Sequence, residues 1–180
     1  MRDAFRAGLN NFGENQVVKA IEKINLLEEE ITSKSHYHLI GHLQGNKAKK
    51  AAGVFDLIHS VDSMKLAKEL DVAAKQKGIV QKILIQVNNA FEEQKFGIAP
   101  SQLENLISEI SELQNLKLEG LMNIAPLTED IDLIRKLFRE MYNLKEMYNL
   151  KELSMGMSND YKIALDEGAT IIRLGRTLFE

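Results

Sequence analysis

The feature that most constrains the fold is a regular alternation of two kinds of segment along the chain. Short runs rich in β-branched and apolar residues are separated by longer amphipathic stretches, whose apolar residues recur three or four positions apart. The short runs predict strands at residues 11–15, 36–43, 55–62, 82–88, 116–124, 152–158 and 170–175. Strict alternation predicts parallel strands joined by right-handed crossovers, which form either a barrel or an open doubly wound sheet.

Two observations favour the barrel over the open sheet. A dinucleotide-binding open sheet would carry a GxGxxG turn after its first strand, and the sequence contains no such turn. The chain also begins in a helix-like stretch with no strand before it, and its seven predicted strands are one fewer than a (β/α)8 barrel needs. We therefore predict one domain over residues 1–180, an N-terminally truncated TIM-type barrel that lacks its first strand. Its two open strand edges predict reduced stability and either a monomer or an edge-associated oligomer.

Composition limits the classes of ligand and partner. The sequence has no cysteine, which excludes disulfides, thiolate catalysis and cysteine-based metal sites. The net charge of −3 gives no electrostatic reason to bind nucleic acid or an anionic membrane. No apolar run approaches the roughly 20 residues of a membrane helix, and no signal-peptide pattern is present. These properties predict a cytoplasmic protein with a small-molecule ligand and with neither nucleic acid nor membrane as a partner.

The last two predicted strands end in segments typical of a phosphate site. ELSMGMSND at 152–160 ends a strand in a small, hydroxyl-rich turn, and RLGR at 173–176 ends the next strand at a glycine. Exposed backbone N–H groups, serine hydroxyls and a glycine that permits close approach together favour a bound anion. In TIM-type barrels the loops after strands seven and eight often hold phosphate, so we expect a phosphorylated ligand here.

Arg173 lies on the last predicted strand and would point into the barrel if Ile172 and Leu174 face the helices. A buried guanidinium keeps its charge and therefore needs an acceptor. Two interpretations stay open on spacing alone: Arg173 serves a ligand, or it forms an ion pair with an inward acidic residue such as Glu14.

Three histidines, His36, His38 and His42, occur at even spacing along HYHLIGH. Such spacing on one strand face makes a metal site conceivable, but the sequence offers no further ligand pattern. We therefore favour hydrogen-bonded histidines inside the barrel and predict no metal.

Seven separated stretches together resemble the pyridoxal phosphate homeostasis family, also called YggS or PROSC. In chain order they are FGENQV, HLIGHLQGNK, IHSVDS, IQVNNAFEEQKFGI, EGLMNIAP, LSMGMSNDYKIALDEGAT and RLGR, and the resemblance spans residues 3–179. It implies a barrel like the N-terminal domain of alanine racemase that binds pyridoxal 5′-phosphate. It also implies a role in cellular vitamin B6 balance without turnover, with cofactor-dependent apoenzymes as possible recipients.

The resemblance assigns eight positions to the cofactor. Ser154, Gly156 and Ser158 of LSMGMS and the backbone of Gly175 and Arg176 would hold the phosphate. Arg173 would face the pyridine nitrogen, and Asn15 and His42 would line the ring. A permanently charged guanidinium would keep that nitrogen unprotonated, which disfavours carbanion chemistry. The eight positions are Asn15, His42, Ser154, Gly156, Ser158, Arg173, Gly175 and Arg176.

One departure from the family is large. The resemblance places the lysine that would bind the cofactor covalently on a strand before FGEN, and neither Lys47 nor Lys95 matches that position. We therefore expect weak, noncovalent binding. The alternatives left open are a fold-type III racemase, a barrel enzyme acting on a phosphorylated metabolite, and a remnant that binds no cofactor. A racemase would also need a C-terminal domain with a tyrosine base, which has no counterpart in these residues.

Overall fold

A computed structural model describes residues 1–92 and 94–179. Its centre is a seven-stranded parallel sheet whose strand order follows the chain order, as the alternation predicts. The strands are β1 (Asn11–Glu14), β2 (His36–Leu39), β3 (Leu57–Val61), β4 (Gln81–Gln86), β5 (Leu116–Met122), β6 (Glu152–Met157) and β7 (Ile171–Arg173). A sheet with this order that curves into an incomplete barrel is the TIM-like architecture, so the predicted fold class is confirmed.

Helices connect successive strands and cover the outer face of the sheet. They are α1 (Arg2–Arg6), α2 (Val17–Asn25), α3 (Glu29–Lys34), α4 (Ala48–Ala51), α5 (Met64–Lys77), α6 (Leu103–Ser111), α7 (Ile131–Met147), α8 (Tyr161–Asp166) and α9 (Arg176–Phe179), with 3-10 turns at Gly45–Lys47 and Pro100–Gln102. In the part of the chain that the structure describes, none of the helices has the length and apolar character that a membrane crossing requires.

The longer helices begin and end where their sequences provide caps. The hydroxyl of Ser63 accepts a hydrogen bond from the Leu66 N–H at the start of α5, and Asp130 accepts one from Leu133 at the start of α7. Helix α5 ends at Gly78, whose φ of 64° is the left-handed conformation that glycine adopts readily.

The core has two parts on opposite faces of the sheet. The larger part lies between the sheet and the helices and includes Ile58 and Ile83 from strands and Phe138 from α7. The smaller part is a cluster of Leu57, Leu84 and Met122, packed against Ile171. Strand side chains alternate between the two faces, and the large strand residues fill both. The barrel interior is therefore a packed core over part of its depth.

The sheet is not closed between its first and last strands. Within residues 1–92 and 94–179, the ladder runs from β1–β2 to β6–β7, so β1 and β7 are its edges. A cavity of about 840 Å³ opens along this side and is lined by residues from both edge strands. The open side gives a ligand access to the barrel interior.

Glu14 does not face the barrel interior, so the predicted alternative of a Glu14–Arg173 ion pair is wrong. Phe12 and Glu14 are the buried residues of β1, whereas Asn11 and Gly13 line the cavity. The carboxylate of Glu14 instead accepts hydrogen bonds of 2.9 Å at both oxygens from Lys23 of α2. The strand alternation thus assigns Glu14 to the helix face of the sheet.

Candidate functional site

The candidate site is the cavity of about 840 Å³ between β1, β2 and β7. Its volume is within the usual range for sites that hold small molecules. Asn15, His38, His59, Arg173 and Gly175 are among the residues that line it. Apolar groups of the strands form much of the wall, so these polar groups can orient a ligand.

Arg173 ends β7 and brings a positive charge into the cavity. Its Nη1 donates a hydrogen bond of 2.7 Å to the Ser154 hydroxyl, and its Nη2 donates one of 2.7 Å to the Asn123 carbonyl. Burial lowers the pKa of Arg173 to about 10, an effect that the charge of Asp160 opposes. The guanidinium therefore stays protonated at neutral pH, held in place by neutral acceptors.

Two histidines extend this arrangement across the barrel. The ring nitrogen Nδ1 of His59 lies 2.9 Å from Ser154 Oγ, and its Nε2 lies 3.0 Å from Nδ1 of His38. Nε2 of His38 lies 3.1 Å from Oδ1 of Asn11. Burial lowers the pKa of His38, and burial together with His38 and Arg173 lowers the pKa of His59 well below its ordinary value. Both imidazoles are therefore neutral at neutral pH.

Sequence reasoning missed His59 as a site residue. Its strand, β3, is buried at every position, so burial alone does not mark the inward side chains. Leu57 and His59 are two residues apart and both line the cavity, so alternation counted from Leu57 would have predicted an inward histidine.

The ends of β6 and β7 meet at the outer end of the cavity. The backbone N–H of Thr177 points to the hydroxyl of Ser158 at 3.5 Å, so the segment after β6 and the start of α9 are neighbours. Gly175 lines the cavity, and a Cβ added there would meet nothing within 4 Å. Arg176 follows directly and is exposed. The structure thus brings the sequence-predicted Ser158, Gly175 and Arg176 to one place.

Gly156 shapes the segment that carries Ser158, because it lets α8 pack closely against β6. Its φ is +88°, and a Cβ there would lie 2.5 Å from the Cβ of Ala164 and 3.0 Å from the Cα of Tyr161. Only glycine permits both this conformation and this approach of α8 to β6. Asp160 then accepts a hydrogen bond of 2.6 Å from the Met157 N–H and closes the turn that carries Ser158.

The structure places Asn15 and His42 differently. Asn15 lines the cavity on the side of β1. His42 lies at a second cleft, where its ring stacks on Phe96 with a centroid distance of 3.6 Å and its Nδ1 lies 3.3 Å from Oδ2 of Asp62. The structure therefore does not bring His42 together with Arg173, and the histidines that line the cavity are His36, His38 and His59.

A histidine metal centre finds no support in the described ranges. Among residues 1–92 and 94–179, no group of three or more histidine, aspartate or glutamate side chains is arranged to hold a metal ion. His36 lies at the N-terminal end of β2, where its Nδ1 is 3.5 Å from Oδ1 of Asp56.

These features define a class of protein: a TIM-like barrel with an interior cavity that reaches the C-terminal ends of its last two strands. Residues 2–180 match the family described as alanine racemase, N-terminal domain. A pyridoxal phosphate homeostasis protein of Aquifex aeolicus is 40% identical over 185 residues, covering 99% of this chain and 80% of the relative. The Escherichia coli protein of the same name is 34% identical, covering 98% and 78%. The chain therefore belongs to the pyridoxal phosphate homeostasis protein family, which confirms the resemblance of its motifs.

Solved structures agree with this family and fold. PipY of Synechococcus elongatus without PLP aligns with a TM-score of 0.90 and 41% identity, over 99% of this chain and 86% of PipY. PipY with PLP bound aligns with a TM-score of 0.87 and 40% identity, over 99% and 85%. An alanine racemase of Clostridium difficile aligns with a TM-score of 0.78 at 13% identity, over 99% of this chain and 46% of the racemase. At that identity the likeness to the racemase concerns the fold alone.

Proposed function

We propose that this protein binds pyridoxal 5′-phosphate reversibly in the cavity beside Arg173 and serves vitamin B6 homeostasis as a cofactor carrier without turnover. PipY, 40% identical to this chain, has a structure with PLP bound, and the named relatives are pyridoxal phosphate homeostasis proteins. The observation that carries the proposal is the half-buried guanidinium of Arg173, which lines a cavity of suitable size and donates its hydrogen bonds to neutral acceptors.

The residues present fit the chemical groups of the cofactor. Ser158, Gly175 and Arg176 offer a hydroxyl, an open backbone and a positive charge at the outer end of the cavity, as a phosphate requires. Arg173 lies deeper and would face the pyridine nitrogen. Asn15 would line the ring from the side of β1. We assign these five residues to the cofactor.

Three other sequence-predicted residues have different support. Gly156 would act indirectly, because it lets α8 pack against β6. The Ser154 hydroxyl is already hydrogen-bonded to Arg173 and His59, which favours a role in holding Arg173 over direct contact with phosphate. His42 lies at the second cleft, so its contact with the ring stays a prediction that this geometry does not favour.

Noncovalent binding is part of the proposal. Lys82 and Lys151 line the cavity, but they lie at the N-terminal end of β4 and just before β6. Arg173 lies at the opposite, C-terminal end of β7, and parallel strands place these two ends on opposite sides of the barrel. Neither lysine is therefore placed to react with a cofactor that meets Arg173.

The absence of turnover is proposed on electronic grounds. Pyridoxal phosphate supports carbanion chemistry when its ring nitrogen withdraws electrons. A guanidinium donates a hydrogen bond to that nitrogen but does not give up its proton at neutral pH, even with a pKa of about 10. A cofactor held by Arg173 is thus suited to storage and transfer.

Other parts of the proposal concern organisation and partners. We propose that residues 1–180 act as one cofactor-binding unit and that cofactor-dependent apoenzymes receive the cofactor. The edges β1 and β7 allow either a monomer or association through these edges. A cytoplasmic location stays a prediction.

Equilibrium dialysis with pyridoxal 5′-phosphate, followed by borohydride reduction and intact-mass measurement, tests the function and the mode of binding together. We expect one equivalent bound and no mass increase after reduction. A fixed mass increase on one lysine would contradict noncovalent binding, and no retained cofactor would contradict the function itself. Racemisation of an L-amino acid by the loaded protein would contradict the proposed lack of turnover.

A further inference from the structure

An uninterrupted series of hydrogen bonds crosses the barrel interior from Arg173 to Asn11. It passes through the side chains of Ser154, His59 and His38, with successive distances of 2.7, 2.9, 3.0 and 3.1 Å. Ser154 and His59 are fully buried. Because each distance is that of a good hydrogen bond, each link needs one donor and one acceptor, and the protons on the two imidazoles decide which is which.

We propose that His59 is a positioning residue of the cavity: His59 and His38, both neutral and both protonated on Nε2, form a one-way hydrogen-bond chain that holds Arg173 through Ser154. The inference rests on the proposed function where it concerns pyridoxal phosphate, but the donor-to-acceptor direction of the hydrogen-bond chain follows from the protein alone.

The direction can be worked out from the Arg173 end. A guanidinium only donates, so Ser154 Oγ accepts from Nη1. The serine hydroxyl must then give its own hydrogen to an acceptor, and its other partner in the described structure is Nδ1 of His59. If that nitrogen carried a proton, the buried hydroxyl hydrogen would have no acceptor, which is costly. Nδ1 of His59 therefore carries the lone pair and Nε2 the proton.

The direction can also be worked out from the Asn11 end. The amide nitrogen of Asn11 donates to Oδ1 of Asn10 at 2.9 Å, which leaves Oδ1 of Asn11 to face His38. An amide oxygen only accepts, so Nε2 of His38 carries the proton and its Nδ1 the lone pair. That lone pair then accepts from Nε2–H of His59 at 3.0 Å. The two ends assign the same tautomer to His59.

The charges along the chain agree with this assignment. A second proton on His38 would sit on Nδ1, directly opposite the Nε2–H of His59, and would break the link between the rings. A second proton on His59 would point at the serine that already accepts from Arg173 and would add a charge near the guanidinium. Burial lowers the pKa of both imidazoles, which favours the neutral rings that this assignment requires. Arg173 is thus the cation of this chain.

The chain prepares the cavity before a ligand arrives. Ser154 is engaged on both sides, so the orientation of its hydroxyl, and with it the position of Nη1 of Arg173, depends on His59. Arg173 lines the cavity, and a guanidinium has five N–H donors, so it keeps donors for a ligand acceptor. A fixed donor binds a ring nitrogen more tightly than a mobile one, because less side-chain freedom is lost on binding.

The tautomers can be read directly in the ligand-free protein. The sequence has four histidines, so a His36→Gln/His42→Gln variant leaves the signals of His38 and His59 alone. Long-range proton–nitrogen correlation spectra of this variant and of the wild type, labelled with ¹⁵N at neutral pH, show which ring nitrogen is protonated. We expect both rings to carry the proton on Nε2. A proton on Nδ1 of either ring, or a doubly protonated ring, would overturn the proposed direction of the hydrogen-bond chain.

The positioning role is tested with two substitutions of His59. His59→Leu removes both hydrogen bonds, whereas a glutamine at this position offers an acceptor and a donor. We expect His59→Leu to raise the dissociation constant for pyridoxal 5′-phosphate about tenfold, as loss of one well-placed hydrogen bond would do, and His59→Gln to recover part of it. Wild-type affinity in a folded His59→Leu protein would overturn the role.

Failure of the inference and failure of the proposed function give different results. If the wild type binds no pyridoxal phosphate, the function is wrong, while the nitrogen spectra still decide the direction of the chain. If the wild type binds the cofactor and the tautomers differ from those expected, the inference alone is wrong. If His59→Leu does not fold, the wild-type spectra still decide the direction of the hydrogen-bond chain.

Discussion

Arg173 donates a hydrogen bond of 2.7 Å to the hydroxyl of Ser154, so a full positive charge in the barrel is held by a neutral partner. The second acceptor, the carbonyl of Asn123, is neutral as well. Within the described residues, the salt bridges do not include Arg173, and the pair with Glu14 that the sequence allowed is replaced by Glu14–Lys23. A half-buried cation whose hydrogen-bond acceptors are neutral is suited to an electron-rich ligand.

This relationship predicts the effect of removing the charge. Arg173→Gln should weaken the binding of pyridoxal 5′-phosphate about tenfold or more, because a hydrogen bond from a charged donor is stronger than one from an amide. Equilibrium dialysis measures the change. Arg6→Gln is the matched control, since Arg6 is an exposed arginine on α1 that pairs with Asp3. Equal losses in both variants would mean that the effect is one of net charge and not of this cavity.

A second prediction separates the phosphate end from the ring end. Ser158→Ala should raise the dissociation constant for pyridoxal 5′-phosphate about five- to tenfold, because a hydroxyl that can reach phosphate is lost. It should leave the weaker binding of pyridoxal, which has no phosphate, unchanged. Competition by both compounds measures this difference. Ser111→Ala, on the exposed end of α6, should change neither affinity. An equal loss for both ligands would place Ser158 away from the phosphate.

Gly156 should be sensitive to the smallest side chain. In Gly156→Ala the new Cβ would lie 2.5 Å from Ala164 Cβ in a residue with φ of +88°, so α8 must shift. We expect a loss of about 2–4 kcal/mol in the free energy of unfolding, measured with urea. Gly78→Ala is the control, because Gly78 also has a positive φ, of 64°, but has nothing within 4 Å of an added Cβ. Its loss should be about 1 kcal/mol. Similar losses would show that backbone strain alone matters at Gly156.

The sequence predicted most of the framework, for identifiable reasons. Alternation of strand and helix gave the parallel barrel, and caps such as Gly78 at the end of α5 fell where the helix stops. LSMGMS and RLGR meet in space because parallel neighbouring strands end on the same side. It was harder to predict which side chains of each strand face the barrel interior. Glu14 was left open as an inward residue, and His59 was not identified as one.

His42 shows a different limit of sequence reasoning. Even spacing continues from His36 through His38 to His42 only while the chain is a strand, and β2 ends at Leu39. Beyond that residue the chain turns, and His42 packs on Phe96 in the second cleft. Local spacing could not show where β2 stops.

An ion-pair cluster joins α7 to α8 and should contribute to stability. The carboxylate of Glu167, almost fully buried, accepts from both Arg135 and Arg139. These hydrogen bonds, that from Arg139 first, lower the pKa of Glu167 against the opposing effect of burial. Glu167→Gln should lower the urea midpoint clearly. Glu30→Gln, which removes an exposed pair with Lys34, should change stability by less than about 0.5 kcal/mol. Equal stability of the two variants would contradict a structural role for Glu167.

Weakly acidic pH should destabilise the protein through His38 and His59. Burial lowers the folded-state pKa of His38 and His59 below the value of 6.5 for a free imidazole, so the unfolded chain takes up protons first as pH falls. Their contribution is complete above 6.5 and is lost as pH falls from there through the lowered folded values. Urea unfolding at about pH 7.5 and about pH 5.5 should show this loss.

Two variants test whether the histidines of the barrel interior cause this loss. His59→Gln should reduce the difference between the two pH values, whereas His36→Gln, at the exposed end of β2, should keep it. An unchanged pH dependence in His59→Gln would assign the loss to other groups.

The measurement that tests the central claim most directly is a crystal structure of the protein with pyridoxal 5′-phosphate. We predict electron density for the cofactor in the cavity between β1 and β7, with phosphate beside Ser158 and Gly175 and the ring nitrogen toward Arg173, not bonded covalently to any lysine. Density for the cofactor elsewhere, or joined to a lysine, would contradict this account of the site.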